Sequence, residues 1–199
     1  MKKGEATRRN IIQKAAAIFN QKGYITTTMN DIIQETNIQK GGIYRYFRDK
    51  EQLMHEAFQF SAETMRQHLM ASVSQHEEAE KKLLAFVETF LQLSEGKPMI
   101  GGCPIFNAAV EMDDLEGSTL LPMVDEAMGM LIHWVEKIIE EGISKRELKQ
   151  SIQSFDTAVY IVSTLEGGLV LAKLKQDGQV TNIIKKQLIH YLSTLNERQ

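Results

Sequence analysis

The stretch Gln39-Lys40-Gly41-Gly42-Ile43-Tyr44-Arg45-Tyr46-Phe47 concentrates side chains that suit a polyanion. Lysine and arginine neutralise phosphates and donate hydrogen bonds to guanine edges in a major groove. Tyrosine hydroxyls donate to phosphate, and tyrosine rings pack on sugars and thymine methyls. On a helix, Ile43 and Phe47 turn inward, which leaves Lys40, Gly41, Gly42, Tyr44, Arg45 and Tyr46 facing out. A glycine inside a helix costs roughly 1 kcal/mol relative to alanine. Two in a row therefore ask for a use, and close approach of backbone amides to a phosphate near a helix N-terminus is one.

Other reactive residues form weaker patterns. Cys103 precedes Pro104 at an expected helix start. A thiol there gains acidity and reactivity, which makes a cysteine-dependent enzyme working beside Glu111, or a redox sensor, one reading. A small, partly buried packing residue is the plainer one. His55, His68, His76, His133 and His190 lack metal-ligand spacing, and Asp113, Asp114 and Glu116 read as a solvated helix end. No phosphate-binding glycine loop or paired nucleophile and base is legible. The expectation is no enzyme, no metal and no cofactor.

These residues sit on a chain of 199 residues with a formal net charge of −3. Residues 1–55 hold ten Lys/Arg and five Asp/Glu, a balance of +5, so the remainder carries −8. A basic head on an acidic body suggests a polyanion-binding module joined to something else. A single cysteine excludes an internal disulfide, no apolar run approaches the roughly 18 residues of a membrane span, and the charged N-terminus does not lead into a signal peptide. The expected location is cytoplasmic, without a membrane partner.

Helical periodicity dominates, so the expected fold is all-α with about nine helices. A first helix over about 5–21 carries Ile11, Ala15 and Phe19 on one stripe and stops at Gly23. A second starts at Thr28, which caps with Asp31. Asn37 suits a tight left-handed turn into a short third helix over about 39–47. Asp49 caps a long fourth helix over about 50–74, with Gln52 placed to complete a capping box. Further helices are expected at about 78–94, 104–115, 119–141, 155–175 and 180–195. Two short helices joined by a tight turn behind a supporting helix make a helix-turn-helix. The division is residues 1–50 as a helix-turn-helix DNA-binding domain and 51–199 as a second helical domain, whose effector-binding and dimerisation roles are what the family resemblance given next implies.

Residues 7–54 resemble the DNA-binding domain of the TetR/AcrR family of bacterial transcriptional regulators. Ile11, Ala15, Phe19, Gly23, Thr28, Ile32, Ile38, Lys40, Gly41, Tyr44, Phe47, Lys50, Glu51 and Leu53 match, and Gly41 through Glu51 is the most diagnostic run. By that resemblance Lys50 contacts a phosphate, Tyr44 and Tyr46 contact the DNA backbone, and Thr28 and Asn30 start a helix used against the backbone. The chain departs from the pattern at Gln39, where a serine cap is usual, and at Gly42, where a side chain often reads a base. Readout then rests on Lys40 and Arg45, with Asn30 a lesser candidate.

Farther along, Gly102-Cys103-Pro104-Ile105-Phe106-Asn107-Ala108-Ala109-Val110-Glu111 also resembles several branches of that family. The resemblance implies a pocket for an apolar or amphipathic small molecule. Candidate apolar lining is Met65, Phe86, Phe90, Phe106, Met128 and Trp134, with Asn107, Glu111 and Glu166 as polar groups. The helix at about 155–175 is apolar nearly all round and needs cover on every side. A two-fold partner would supply it, so Tyr160, Thr164, Gly167, Gly168, Leu171, Ile184, Leu188 and Tyr191 are assigned to a homodimer interface. The implied function is a regulator, a repressor released from a palindromic operator in double-stranded DNA by a small-molecule ligand. A ligand-independent DNA binder is the alternative within the same class.

Overall fold

The computed structural model describes residues 3–197; Met1, Lys2, Arg198 and Gln199, including one lysine counted in the basic head, lie outside the described residues. Nine α-helices occur among the described residues: α1 (Lys3–Lys22), α2 (Met29–Thr36), α3 (Lys40–Tyr44), α4 (Lys50–Val73), α5 (Ala79–Leu91), α6 (Pro104–Met112), α7 (Leu121–Ser144), α8 (Ser154–Lys175) and α9 (Gly178–Thr194). A 3-10 turn, Gln92–Glu95, extends α5. The all-helical architecture with an N-terminal helix-turn-helix is as the periodicity predicts.

Contacts group the chain into two compact units. One holds Met1–Met65 with Met99–Asp125, and the other holds Arg66–Pro98 with Glu126–Gln199. Helix α4 contributes to both, and α6 is grouped with the helix-turn-helix.

The head unit is built on the apolar stripe of α1. Ile11, Ala15 and Phe19 are buried with Ile32 of α2, Ile43 of α3, Phe47, and Leu53 and Ala57 of α4. The cap residues set the boundaries. Thr28 and Asp31 form the expected capping box, and Asn37 takes the left-handed conformation (φ 55°, ψ 25°) after α2. At the start of α4, Asp49 Oδ1 accepts from Gln52 N at 2.8 Å. Gln52 Oε1 accepts from Arg48 N at 2.9 Å, one residue ahead of the cap. Helix α3 ends at Tyr44, short of the expected 47, because Tyr46 N and Phe47 N both turn back onto the Ile43 carbonyl. Gly23 has φ +99°, a conformation that favours glycine.

In the other unit, Phe86 and Phe90 of α5 are fully buried. Phe86 meets the Trp134 ring of α7 edge-on at 5.7 Å. Helix α8 presents Ala158, Ile161, Leu165 and Leu169 to this core, and α9 adds Leu188 and Leu192. By length and composition alone α8 is long and apolar enough to cross a membrane, which corrects the reading that no stretch approaches that size; half of its most apolar window is buried inside the protein.

Candidate nucleic-acid interface

Helix α3 is held from behind and left free in front. Ile43 and Phe47 are fully buried, while Lys40, Gly41, Tyr44 and Arg45 are exposed and Gly42 and Tyr46 half-buried. Lys40 Nζ lies 5.8 Å from the Tyr44 ring centroid, so cation and aromatic form one patch. Gln39 makes no side-chain cap to α3. The two glycines part company here. A Cβ on Gly41 would meet nothing within 4 Å, whereas one on Gly42 would come within 2.7 Å of Ile38 Cγ2. A side chain at Gly42 is therefore opposed by Ile38, whereas the space at Gly41 is open.

Several basic residues are committed internally. Arg8 pairs with Glu56 at 2.6 Å and lies 5.0 Å above the Phe47 ring centroid, which locks α1, α4 and the residue after α3 together. Lys14 Nζ donates to the Glu35 carbonyl at 2.7 Å, and Lys22 pairs with Asp31 at 3.0 Å. Thr28 Oγ1 donates to Asp31 Oδ2 at 2.6 Å and accepts from Asp31 N. The Thr28 hydroxyl and backbone and then Lys22 hold the Asp31 carboxyl well below the usual carboxylate range. Asn30, in the first turn of α2, is exposed.

Lys50 Nζ donates to the Ile25 carbonyl at 2.9 Å. Partial burial lowers its pKa, and the Glu111 and Asp31 charges oppose that shift. The same turn is gripped from the other side. Glu111 Oε1 accepts from Tyr24 N at 3.1 Å, and Glu111 Oε2 accepts from Ile25 N at 3.0 Å.

Asn107 and Glu111, expected as polar groups of a ligand pocket, are thus engaged elsewhere. Asn107 Nδ2 donates to Asn20 Oδ1 at 2.9 Å and to the Gly101 carbonyl at 2.9 Å, and Glu111 holds the α1–α2 turn. Both side chains satisfy backbone and amide groups of the head, which leaves them poorly placed to greet a ligand. Met65 is buried and accepts from Cys103 Sγ at 3.9 Å; Phe106 is half-buried in the same unit. Phe86, Phe90, Trp134, Met128 and Glu166 belong to the other unit, where the first three rings cluster and Glu166 is buried. Cys103 caps α6, accepting from Phe106 N at 3.5 Å ahead of Pro104, and is itself buried. No metal-binding group of His, Cys, Asp or Glu occurs among the described residues.

The interface residues also divide. Tyr160 and Leu171 are about half exposed, Gly167 is exposed, and Thr164, Ile184 and Tyr191 are half-buried; the Tyr160 and Tyr191 rings meet at 4.8 Å. Gly168 and Leu188 are a correction. Leu188 is 1% exposed, and a Cβ on buried Gly168 would lie 3.0 Å from Ile184 Cγ1 of the same chain. Gly168 packs α8 on α9 within one protomer, and Leu188 is buried within the same protomer. Phe155, Leu174 and Ile183, which the sequence reading did not single out, carry exposed apolar surface on these helices.

Sequence reasoning also missed Asn20 and Tyr24. Asn20 is 2% exposed, and its Nδ2 donates to the carbonyls of Ile100 and Gly102 at 2.8 and 3.1 Å. Tyr24 is fully buried and stacks on Phe19 at 5.3 Å. Its hydroxyl has no hydrogen-bond partner among the described residues, and burial, with the Glu111 charge, raises its pKa. A polar residue at the end of an apolar stripe was the available signal, but its partners are far off in sequence.

Comparison with known proteins agrees with this geometry. Residues 11–57 match the model of the bacterial regulatory proteins of the tetR family, and residues 79–188 match the tetracyclin repressor-like C-terminal domain. An HTH-type transcriptional regulator of Bacillus subtilis, YhgD, is 33% identical over 143 residues, covering 70% of each chain. The crystal structure of a TetR transcriptional regulator from Chloroflexus aurantiacus superposes with a TM-score of 0.93 at 32% identity, covering 98% of each chain. A cysteine mutant of the TetR family regulator CifR, complexed with a 26 bp double-strand operator DNA, shares the fold at 16% identity and a TM-score of 0.75, covering 94% of this chain and 93% of its own. With a helix-turn-helix whose reading face stands free and both family domains matched in order, the chain belongs to the TetR family of bacterial transcriptional regulators.

Proposed function

We propose that the protein is a homodimeric, cytoplasmic repressor that holds a palindromic operator and releases it when a small apolar or amphipathic molecule binds. The observation that carries this reading is the free face of α3, where Lys40, Tyr44 and Arg45 stand exposed while the neighbouring basic residues Arg8, Lys14 and Lys22 are engaged by Glu56, the Glu35 carbonyl and Asp31. Residues 1–50 carry the DNA contacts in this reading, and 51–199 the effector and dimer functions. Lys40 and Arg45 read base edges. Tyr44, Tyr46, Lys50, Asn30 and the open backbone at Gly41 hold phosphates, with Thr28 ordering the helix that carries Asn30. A dimer suits two half-sites centred about 34–36 Å apart or at a multiple of that spacing. Release requires only that the ligand favour an arrangement that binds DNA poorly. No catalytic role is assigned to any residue, and Cys103 serves as a helix cap.

Selection from randomised duplex DNA with the full chain tests this reading. An inverted repeat is the expected product, bound with an affinity that falls linearly on a log–log plot against salt. Arg45→Ala should relax preference at particular positions by about 1–3 kcal/mol. A selected pool with no inverted repeat, or a base profile unchanged by Arg45→Ala, would overturn the corresponding assignment.

A further inference from the structure

A cleft of about 370 Å³ opens in the head unit among the α1–α2 turn, the first turns of α4 and the segment joining α6 to α7. Ile25, Met54, Met112 and Leu115 give it apolar walls, and Lys50, Glu51, Ser118 and Thr119 give it polar ones. Its size lies within the roughly 300–1,000 Å³ of ordinary ligand pockets. None of the ligand-pocket residues read from the sequence lines it.

Lys50 decides the chemistry. Its ammonium has three donors and gives one to the neutral Ile25 carbonyl. Burial beside thioether and aliphatic surface disfavours its charge. An ammonium so placed gains strongly from a charge-assisted hydrogen bond to an anion. The surrounding carboxylates limit which anion. Glu111 is bound by the backbone of Tyr24 and Ile25, Asp31 by Thr28 and Lys22, and Glu51 by Thr119. Their repulsion grows with the charge of the ligand, so a monoanion whose carboxylate reaches the Lys50 donors is opposed least. We infer that this cleft binds a small monoanionic amphipath, a carboxylic acid with one apolar tail or ring, whose carboxylate takes Lys50 Nζ and whose tail lies on Met54, Met112 and Leu115. The consequence for DNA rests on the proposed function: carboxylate and operator phosphate compete for one ammonium, so this ligand weakens DNA binding.

Sodium octanoate, octan-1-ol and octyltrimethylammonium chloride serve as probes, titrated without DNA into the full chain carrying 13C-methyl methionine. Octanoate should move the Met54 and Met112 methyl signals saturably and leave those of Met128 and Met130 in place. The alcohol and the cation should bind at least about tenfold more weakly, and Lys50→Gln should cost octanoate about tenfold. Leu115→Trp, at a position 45% exposed and so tolerant of substitution, should fill the cleft and abolish the shifts. Unmoved Met54 and Met112 signals, equal octanoate affinity in both variants, or a cation that binds as well as octanoate would overturn the site. Operator affinity measured in octanoate separates the two claims. Binding in the cleft with unchanged DNA affinity leaves the site standing and removes the phosphate role of Lys50. No octanoate binding, with DNA affinity still lowered by Lys50→Gln, does the reverse.

Discussion

The backbone of Ile25 is held by charges on both sides. Its N–H points to the Glu111 carboxylate and its carbonyl to the Lys50 ammonium, so one residue of the α1–α2 turn joins α6 to α4 within the head unit. Glu111→Ala removes the acceptor of two backbone N–H groups, one of them on the fully buried Tyr24. A hydrogen bond to a charged group is worth about 1.5–3 kcal/mol, and an orphaned buried donor adds to the loss. The expected result is a stability decrease of about 2–3 kcal/mol in urea unfolding, with Glu111→Gln in between because one acceptor survives. Equal unfolding midpoints for wild type and Glu111→Ala would show that the turn is held by other means. Tyr24→Phe runs the other way. Removing a buried hydroxyl without a partner should leave the melting temperature unchanged or raise it, and a lowered value would reveal a hidden bond. Neither role was legible in the sequence. Asn20, Tyr24 and Glu111 are separated from their partners by 80 or more positions, and local pattern carries no information at that distance. What was legible at this scale was chemistry written within a few residues: the Thr28–Asp31 cap, the left-handed Asn37 and the Cys103-Pro104 helix start.

Helices were legible because amphipathic stripes and caps repeat the same statement. The stripe Ile11, Ala15, Phe19 is buried as its spacing demands, and helix order follows. Ends were less legible where the chain continues to turn after the helical bonds stop, as it does after Tyr44 and through Gln92–Glu95. Within α3 the sequence shows two equivalent glycines, and only packing tells them apart. Gly42→Ala forces a methyl against Ile38 at 2.7 Å and should unfold the head at lower denaturant, as an overpacked contact costs about 1–3 kcal/mol. Gly41→Ala meets open space and should stabilise the helix by roughly 1 kcal/mol. If the Gly41 backbone approaches a phosphate, that more stable variant binds operator DNA more weakly. Stability and DNA affinity rising together in Gly41→Ala would place the phosphate elsewhere on the helix.

For the whole molecule, the governing feature is apolar surface that one chain leaves uncovered. Helix α8 buries Leu165, Leu169 and Ala172 against its own protomer and exposes Leu171 at 48% and Leu174 at 73%, while α9 exposes Ile183 at 57%. Surface of this kind on two neighbouring helices is what a two-fold partner covers in a helical bundle. The glycine pair again divides by role: buried Gly168 admits Ile184 within the protomer, and exposed Gly167 faces away. A charge at Gly168 would therefore damage the protomer before it reported on the dimer. Leu171→Glu combined with Leu174→Glu leaves the protomer core alone and would place four carboxylates in the proposed two-fold interface. Light scattering should give the monomer mass of 22.6 kDa for this variant, with the concentration dependence of melting lost. DNA binding should persist on a half-site with about half the salt slope, because the number of neutralised phosphates halves with the number of heads. A dimeric mass for the double variant would assign the two-fold contact to another surface. A monomer that kept the full salt slope would show that one head alone makes every phosphate contact.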